Sequence, residues 1–136
     1  WGLDVVSRFG DQNLGLMGQR NDGQAFKSAN ALAEVIAKTL GRTPMVVCEE
    51  TKPLQKIAWC SGGAQSYFED AIAAGADAFI TGEISEPQAH LARETGVAFL
   101  ACGHHATERY GAPAVAAHVA QMLGLTHQFI DIDNPA

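Results

Sequence analysis

KIAWCSGGAQSYFEDAIAAGADAFIT, Lys56 to Thr81, is the stretch that decides the fold. KIAWC (Lys56–Cys60) is a short apolar run without strict alternation, the pattern of a strand covered on both faces. Ser61-Gly62-Gly63 interrupts it. A helix is predicted over about Ala64–Ala74, ending at Gly75. AFIT (Ala78–Thr81) is again a strand. Two strands joined through a helix make a βαβ unit, so the strands should run parallel.

The same unit continues downstream. Gly82-Glu83 leads into a helix over about Ser85–Thr95, with Pro87 tolerated in its first turn and Gly96 at its end. VAFLAC (Val97–Cys102) is the next strand, and GHHATERYG is the turn after it. A helix over about Pro113–Leu123 stops at Gly124, and HQFIDI (His127–Ile132) is predicted as the last strand. Upstream, Leu32, Val35, Ile36 and Leu40 recur at helical spacing, with Ser28 or Asn30 as N-cap and Gly41 closing the C-terminus. MVVC (Met45–Cys48) is a strand candidate and EETKP a turn. VVSRF could be a strand, and the Gly- and Asn-rich NLGLMGQRNDG reads as turn or loop. The expected architecture is an α/β layered sandwich: a mainly parallel sheet with helices on its faces, built from successive βα units as one domain over 1–136.

The 136 residues suffice for one domain. Hydrophobic residues make up 47% but aromatics only 7%, so helices should pack closely on the sheet around Ala and Gly rather than around a large aromatic core. A net charge of −6 argues against a nucleic-acid binder, which needs cations to neutralise phosphates. No apolar run approaches the ~20 residues of a membrane span, and no signal peptide is visible. Cys48, Cys60 and Cys102 are widely spaced, without CxxC, and read as reduced, buried thiols of a cytoplasmic protein. The chain begins WGLDVV, without Met, which suggests a piece of a longer protein.

Ligands of parallel sheets bind beyond the carboxyl ends of the strands. Three polar turns leave those ends: CSGGAQS, TGEISE and CGHHATE. They should lie together along one edge. If a helix starts at His104, then His104 and Glu108 stand ~40° apart and one turn apart, and both could reach one metal at ~2.0–2.2 Å. The plain alternative is that they only hydrogen-bond each other at a helix start. His105 faces elsewhere and could contact a second metal, substrate or solvent. Glu83 could support a metal, act as a base, or cap the following helix. Ser61-Gly62-Gly63 could let a substrate or anion approach the backbone, or simply allow tight packing. His90, His118 and His127 carry no assigned role, and Ser66 lacks the GxSxG context of a serine hydrolase.

IAWCSGGAQSYFEDAIAAGADAFITGEISEPQAHLARETGVAFLACGHHATERYG, with FIDIDNPA at the end, resembles the C-terminal half of the GTP cyclohydrolase 1 type 2 homologue family, the Nif-three-like, YbgI-type proteins. The GG-x-x-S turn, TGE and GHHATER carry the likeness. It covers about residues 30–136 well and the first thirty more loosely. The resemblance implies an α/β protein with two divalent metal ions per full-length subunit, often a ring-shaped homohexamer built from dimers. The His and Glu of the family's GH-x-x-x-E pattern fall on His104 and Glu108. The family's N-terminal half adds a His-His pair and an Asp, which have no counterpart in this chain. The expectation is a C-terminal piece of a dinuclear metal-dependent hydrolase acting on a small, nucleotide-like substrate, with Glu83 and His105 orienting water or substrate. By itself the piece should hold metal weakly or not at all. A reading of another class is a non-catalytic metal-binding module for assembly or partner binding.

Overall fold

The computed structural model describes residues 1–48 and 52–136. The predicted turn EETKP begins in the three residues that lie outside them.

Six strands join one mixed sheet in the order β1-β2-β4-β5-β6-β3. The strands are β1 (Leu3–Phe9), β2 (Gly15–Arg20), β3 (Met45–Val47), β4 (Ile57–Trp59), β5 (Ala78–Thr81) and β6 (Ala98–Ala101). The helices are α1 (Ala29–Leu40), α2 (Phe68–Ala73), α3 (Glu86–Thr95), α4 (His104–Glu108) and α5 (Gly111–Leu123). The α/β class is as the sequence implies. The parallel part is the centre: β4 pairs with β5 and β5 with β6, in parallel. The flanks are antiparallel, β1 to β2, β2 to β4 and β3 to β6.

Two of the three antiparallel pairings, which make the sheet depart from a mainly parallel one, come from a stretch that reads as loop in sequence. Gly15–Arg20 is a strand, hairpinned to β1 and paired with β4. Its glycines mark close approach rather than turning. A Cβ on Gly18 would lie 2.9 Å from the Trp59 ring, and one on Gly15 would run into the Phe9 ring.

Alternation along the central strands feeds two cores, one on each face. Ile57, Ala78, Ile80, Ala98 and Leu100 pack beneath α1 against Leu32, Ile36 and Leu40. Ala58, Phe79 and Phe99 face the other way, against Phe68 and Ala71 of α2 and Ala92 of α3. This second core is aromatic, contrary to the expectation from composition. Phe68, Phe79 and Phe99 are all fully buried, with ring centroids 4.9–5.8 Å apart. Four of the six phenylalanines, Phe9, Phe68, Phe79 and Phe99, are concentrated there, which a percentage cannot reveal.

The N-cap of α1 is Ser28, whose Oγ accepts from the Ala31 N–H at 3.2 Å. The predicted helix at Ala64–Ala74 is a 3-10 turn over Gln65–Tyr67 followed by α2. Only Cys102 of the three cysteines is fully buried, and burial pushes its thiol up to about 12. Cys48 and Cys60 are half-buried, because each sits where its strand gives way to a turn. HQFIDI forms no strand. It pairs with neither edge strand, β1 or β3, of the described sheet, and Phe129, Ile130 and Ile132 are exposed. The tail is held instead by Asp131, which accepts from Arg109 Nη1 at 2.9 Å and lies 3.2 Å from His105 Nε2. The α5 helix buries only Ala120, leaving Val115, Val119, Met122 and Leu123 exposed. No helix of the described residues is long and apolar enough to cross a membrane.

Asp77 fastens the sheet at the end away from the polar turns. Its Oδ2 accepts from the backbone N–H groups of Gln55 and Lys56, both at 2.9 Å, and Lys52 lies 3.4 Å from Oδ1. Partial burial alone would raise its pKa. The two N–H donors and the Lys52 ammonium outweigh that and hold the carboxyl below its ordinary range. A depressed folded-state pKa stabilises the fold above the unfolded value and is lost as pH falls through the folded one. Asp77→Asn should therefore cost about 1 kcal/mol in urea unfolding at neutral pH. The difference from wild type should fade below about pH 4, where the ordinary carboxyl takes up its proton.

Candidate metal centre

The three polar turns meet at the carboxyl ends of β4, β5 and β6. Backbone hydrogen bonds stitch them side by side: Gly82 N–H donates to Gly62 C=O at 2.9 Å, and Gly103 N–H to Gly82 C=O at 2.8 Å. Thr81, the one buried polar residue among the described core, donates its hydroxyl to the same Gly62 carbonyl at 3.0 Å. Thr107 closes the stack from α4: its Oγ1 accepts from Gly62 N–H at 2.9 Å. The Thr107 hydroxyl proton is left for the Gly103 or His104 carbonyl, each 3.0 Å away.

His104 is the centre of the arrangement. Its Nδ1 lies 2.5 Å from Glu83 Oε1 and its Nε2 lies 2.9 Å from Glu108 Oε2. The Glu83 hydrogen bond pushes the imidazole above its ordinary pKa, and Glu108 adds to this. His104 in return holds the Glu83 carboxyl below its ordinary range. Gln65 Nε2 reaches the other Glu83 oxygen at 3.4 Å. Burial, and then the Glu108 carboxylate, push the Cys60 thiol up.

Two glycines make this convergence possible. Gly62, at φ +71°, has no room for a Cβ, which would run into the Glu108 carboxylate and lie 3.1 Å from His104 Nε2. A Cβ on Gly82 would lie 2.6 Å from Gly62 O and 2.7 Å from His104 Cα. Ser61-Gly62-Gly63 thus gives space to the His104–Glu108 pair. It does not hold the Gly62 N–H free for an anion, since Thr107 takes it.

His104, Glu108 and Glu83 are therefore together, whereas His105 is turned to the tail, against Asp131. Three contributors were not singled out from the sequence. Thr81 and Thr107 had a signal in the TGE and HHATE strings, as hydroxyls at strand and helix ends. Asp131 had none, being 22 residues from Arg109 and 26 from His105.

The donor chemistry fits a divalent ion in part. A metal-bound imidazole characteristically passes its other ring N–H to a carboxylate, which fixes tautomer and orientation. Glu83 is placed to do this for His104 while Nε2 and Glu108 face one another. Among the described residues, no group of three or more His, Cys, Asp and Glu side chains is disposed to hold a metal ion. The chain thus presents two donors and an orienting carboxylate.

Fold and site together define an α/β protein with a histidine–carboxylate cluster at the carboxyl edge of its parallel strands. A family model described as Duf34/NIF3 (NGG1p interacting factor 3) matches residues 2–135, and the chain belongs to that family. It is 47% identical over 135 residues to a GTP cyclohydrolase 1 type 2 homolog of Neisseria meningitidis serogroup A, covering 99% of this chain and 53% of that relative. A Pseudomonas aeruginosa protein of the same description is 50% identical over 104 residues, which is 76% of this chain and 41% of that one. The solved structure described as protein ybgI, of unknown function, superposes with a TM-score of 0.87 at 39% identity, covering 99% of this chain and 53% of that one. The chain spans about half the length of the curated relatives it matches.

Proposed function

We propose that this chain supplies His104 and Glu108 to a divalent-metal centre of a hydrolase acting on a small, nucleotide-like substrate. The remaining donors would come from the half of the relatives' length that this chain does not match. The full-length subunit would carry two metal ions and assemble as a cytoplasmic homohexamer. One observation carries the reading: the His104 imidazole faces Glu108 with one nitrogen and is held by Glu83 with the other.

Divalent ions at such a centre lower the pKa of water and polarise a carbonyl or phosphoryl group. The chain's own residues do the rest. Glu83 holds the Nδ1 proton and so keeps Nε2 available as a donor. Gly62 and Gly82 let the two side chains stand close to the strand ends. Thr107 and Thr81 lock the Gly62 turn, so the donor pair has a fixed base. His105 acts through Asp131 as a support for α4, not as a group facing substrate.

The nucleotide part of the reading leans on the relatives' printed description, and a family does not fix a reaction. The test is turnover by metal-loaded full-length protein across nucleotides and phosphoesters. Activity that disappears on chelation, returns with metal, and falls at least about a hundredfold in Glu108→Gln is the expected result. No turnover across the panel would favour the second reading, a metal-bearing assembly module. The exposed apolar face of α5 speaks for that second reading, since contiguous exposed apolar surface marks interaction sites.

A further inference from the structure

Beside the Gly62 turn lies an open pocket of about 680 Å³, between the carboxyl end of β4, the last turn of α1 and the residue before α5. Its volume falls in the range of small-molecule sites. Three aromatic side chains contribute to its wall: Trp1, Trp59 and Tyr110. Trp1 and Trp59 meet edge to face, with centroids 6.4 Å apart at 80°, so each holds the other in place. Leu40 and Ile80 add apolar surface, and no charged side chain lines the pocket. The polar side chains in its wall are Thr39, Ser61, Thr107, Cys60 and, through its phenol hydroxyl, Tyr110.

The pocket adjoins the donor pair. Ser61 precedes Gly62 and Thr107 precedes Glu108, and the two are joined by the bond from Gly62 N–H to Thr107 Oγ1 at 2.9 Å. His104 and Glu108 do not themselves line the pocket, so a ligand would reach them only by extending past Ser61 and Thr107. A phosphate would find no cation in the lining. A flat, uncharged ring would find aromatic surfaces to stack on and the Ser61 hydroxyl for its edge, the Thr39 and Thr107 hydroxyls already donating to backbone carbonyls.

We propose that this pocket binds the uncharged heteroaromatic ring of the substrate and leaves the reacting, charged part at the metal donors. The inference rests on the metal-centre reading for calling the ligand a substrate, but the ring site stands on its own residues. Bound this way, the ring supplies affinity and register, and the donors act on what projects from it.

The experiment is calorimetric titration of full-length protein with adenosine and guanosine as uncharged ring probes and ribose 5-phosphate as the ringless control. Tyr110→Leu removes a half-exposed ring without opening the core, and Trp59→Leu is the companion variant. Metal content is measured on the same samples. The expected result is saturable nucleoside binding, weakened about tenfold in each folded variant with metal content unchanged, and no saturable binding of ribose 5-phosphate. Absence of saturable nucleoside binding, or equal affinity in wild type and Tyr110→Leu, overturns the proposal. So does a structure of the full-length protein in which another polypeptide segment fills the pocket. Should His104→Ala and Glu108→Ala keep their metal, the metal reading fails while the nucleoside titration still decides the ring site.

Discussion

Phe79→Ala should lower the unfolding free energy by about 3–5 kcal/mol, the usual range for emptying a buried phenylalanine site. Phe79 stands in the middle of β5, fully buried, with Phe9, Phe68 and Phe99 around it at 6.2, 5.8 and 5.7 Å. Its neighbours come from β1, α2 and β6, so collapse around the cavity would have to move three elements at once. A domain of this size holds only about 5–15 kcal/mol in total, so the loss is a large fraction. Urea unfolding of the full-length protein checks it. A cost below about 1 kcal/mol would mean that the aromatic layer does not hold the sheet to α2 and α3.

Gly82→Ala should have the largest effect on the site of any change outside the donors. The added methyl meets backbone, not a flexible side chain: Gly62 O at 2.6 Å, His104 Cα at 2.7 Å and His104 N at 2.9 Å. Relief requires the β4 turn and α4 to move away from the β5 turn. The hydrogen bonds Gly82 to Gly62 and Gly103 to Gly82 run through this point and would stretch or break. Overpacking of this kind costs about 1–3 kcal/mol of stability. Metal affinity of the full-length protein should fall at least tenfold, in line with the 10–100-fold losses seen when supporting residues around a metal are disturbed. Equilibrium dialysis of the metal reads it. An alanine variant with wild-type affinity would show that the turn stack does not position His104.

The parts of the fold governed by local pattern were legible in the sequence. Lys56–Thr81 announces its βαβ unit, because a covered parallel strand needs a continuous apolar run and a helix needs a capped ending. The parts governed by distant partners were not. Gly15–Arg20 carries the glycines of a loop, yet they exist to admit the Phe9 and Trp59 rings, which only pairing with β1 and β4 brings near. His127–Ile132 has the composition of a strand, but a strand needs an edge to pair with, and the tail pairs with neither edge of the described sheet. At the site, the i, i+4 spacing placed His104 beside Glu108 because helix geometry alone decides that contact. Convergence of the turns at the strand ends brought in Glu83. The pairing of His105 with Asp131 depends on where the tail comes to rest, which no spacing rule encodes.

The central claim is that His104 and Glu108 are metal donors and that His105 is not. The direct measurement is metal stoichiometry and affinity of the full-length protein beside His104→Ala, Glu108→Ala and His105→Ala, each confirmed as folded. The account predicts loss of bound metal in the first two and wild-type stoichiometry, at somewhat weaker affinity, in the third. Unchanged metal content in both His104→Ala and Glu108→Ala would contradict it and leave the pair as an ordinary hydrogen bond at a helix start.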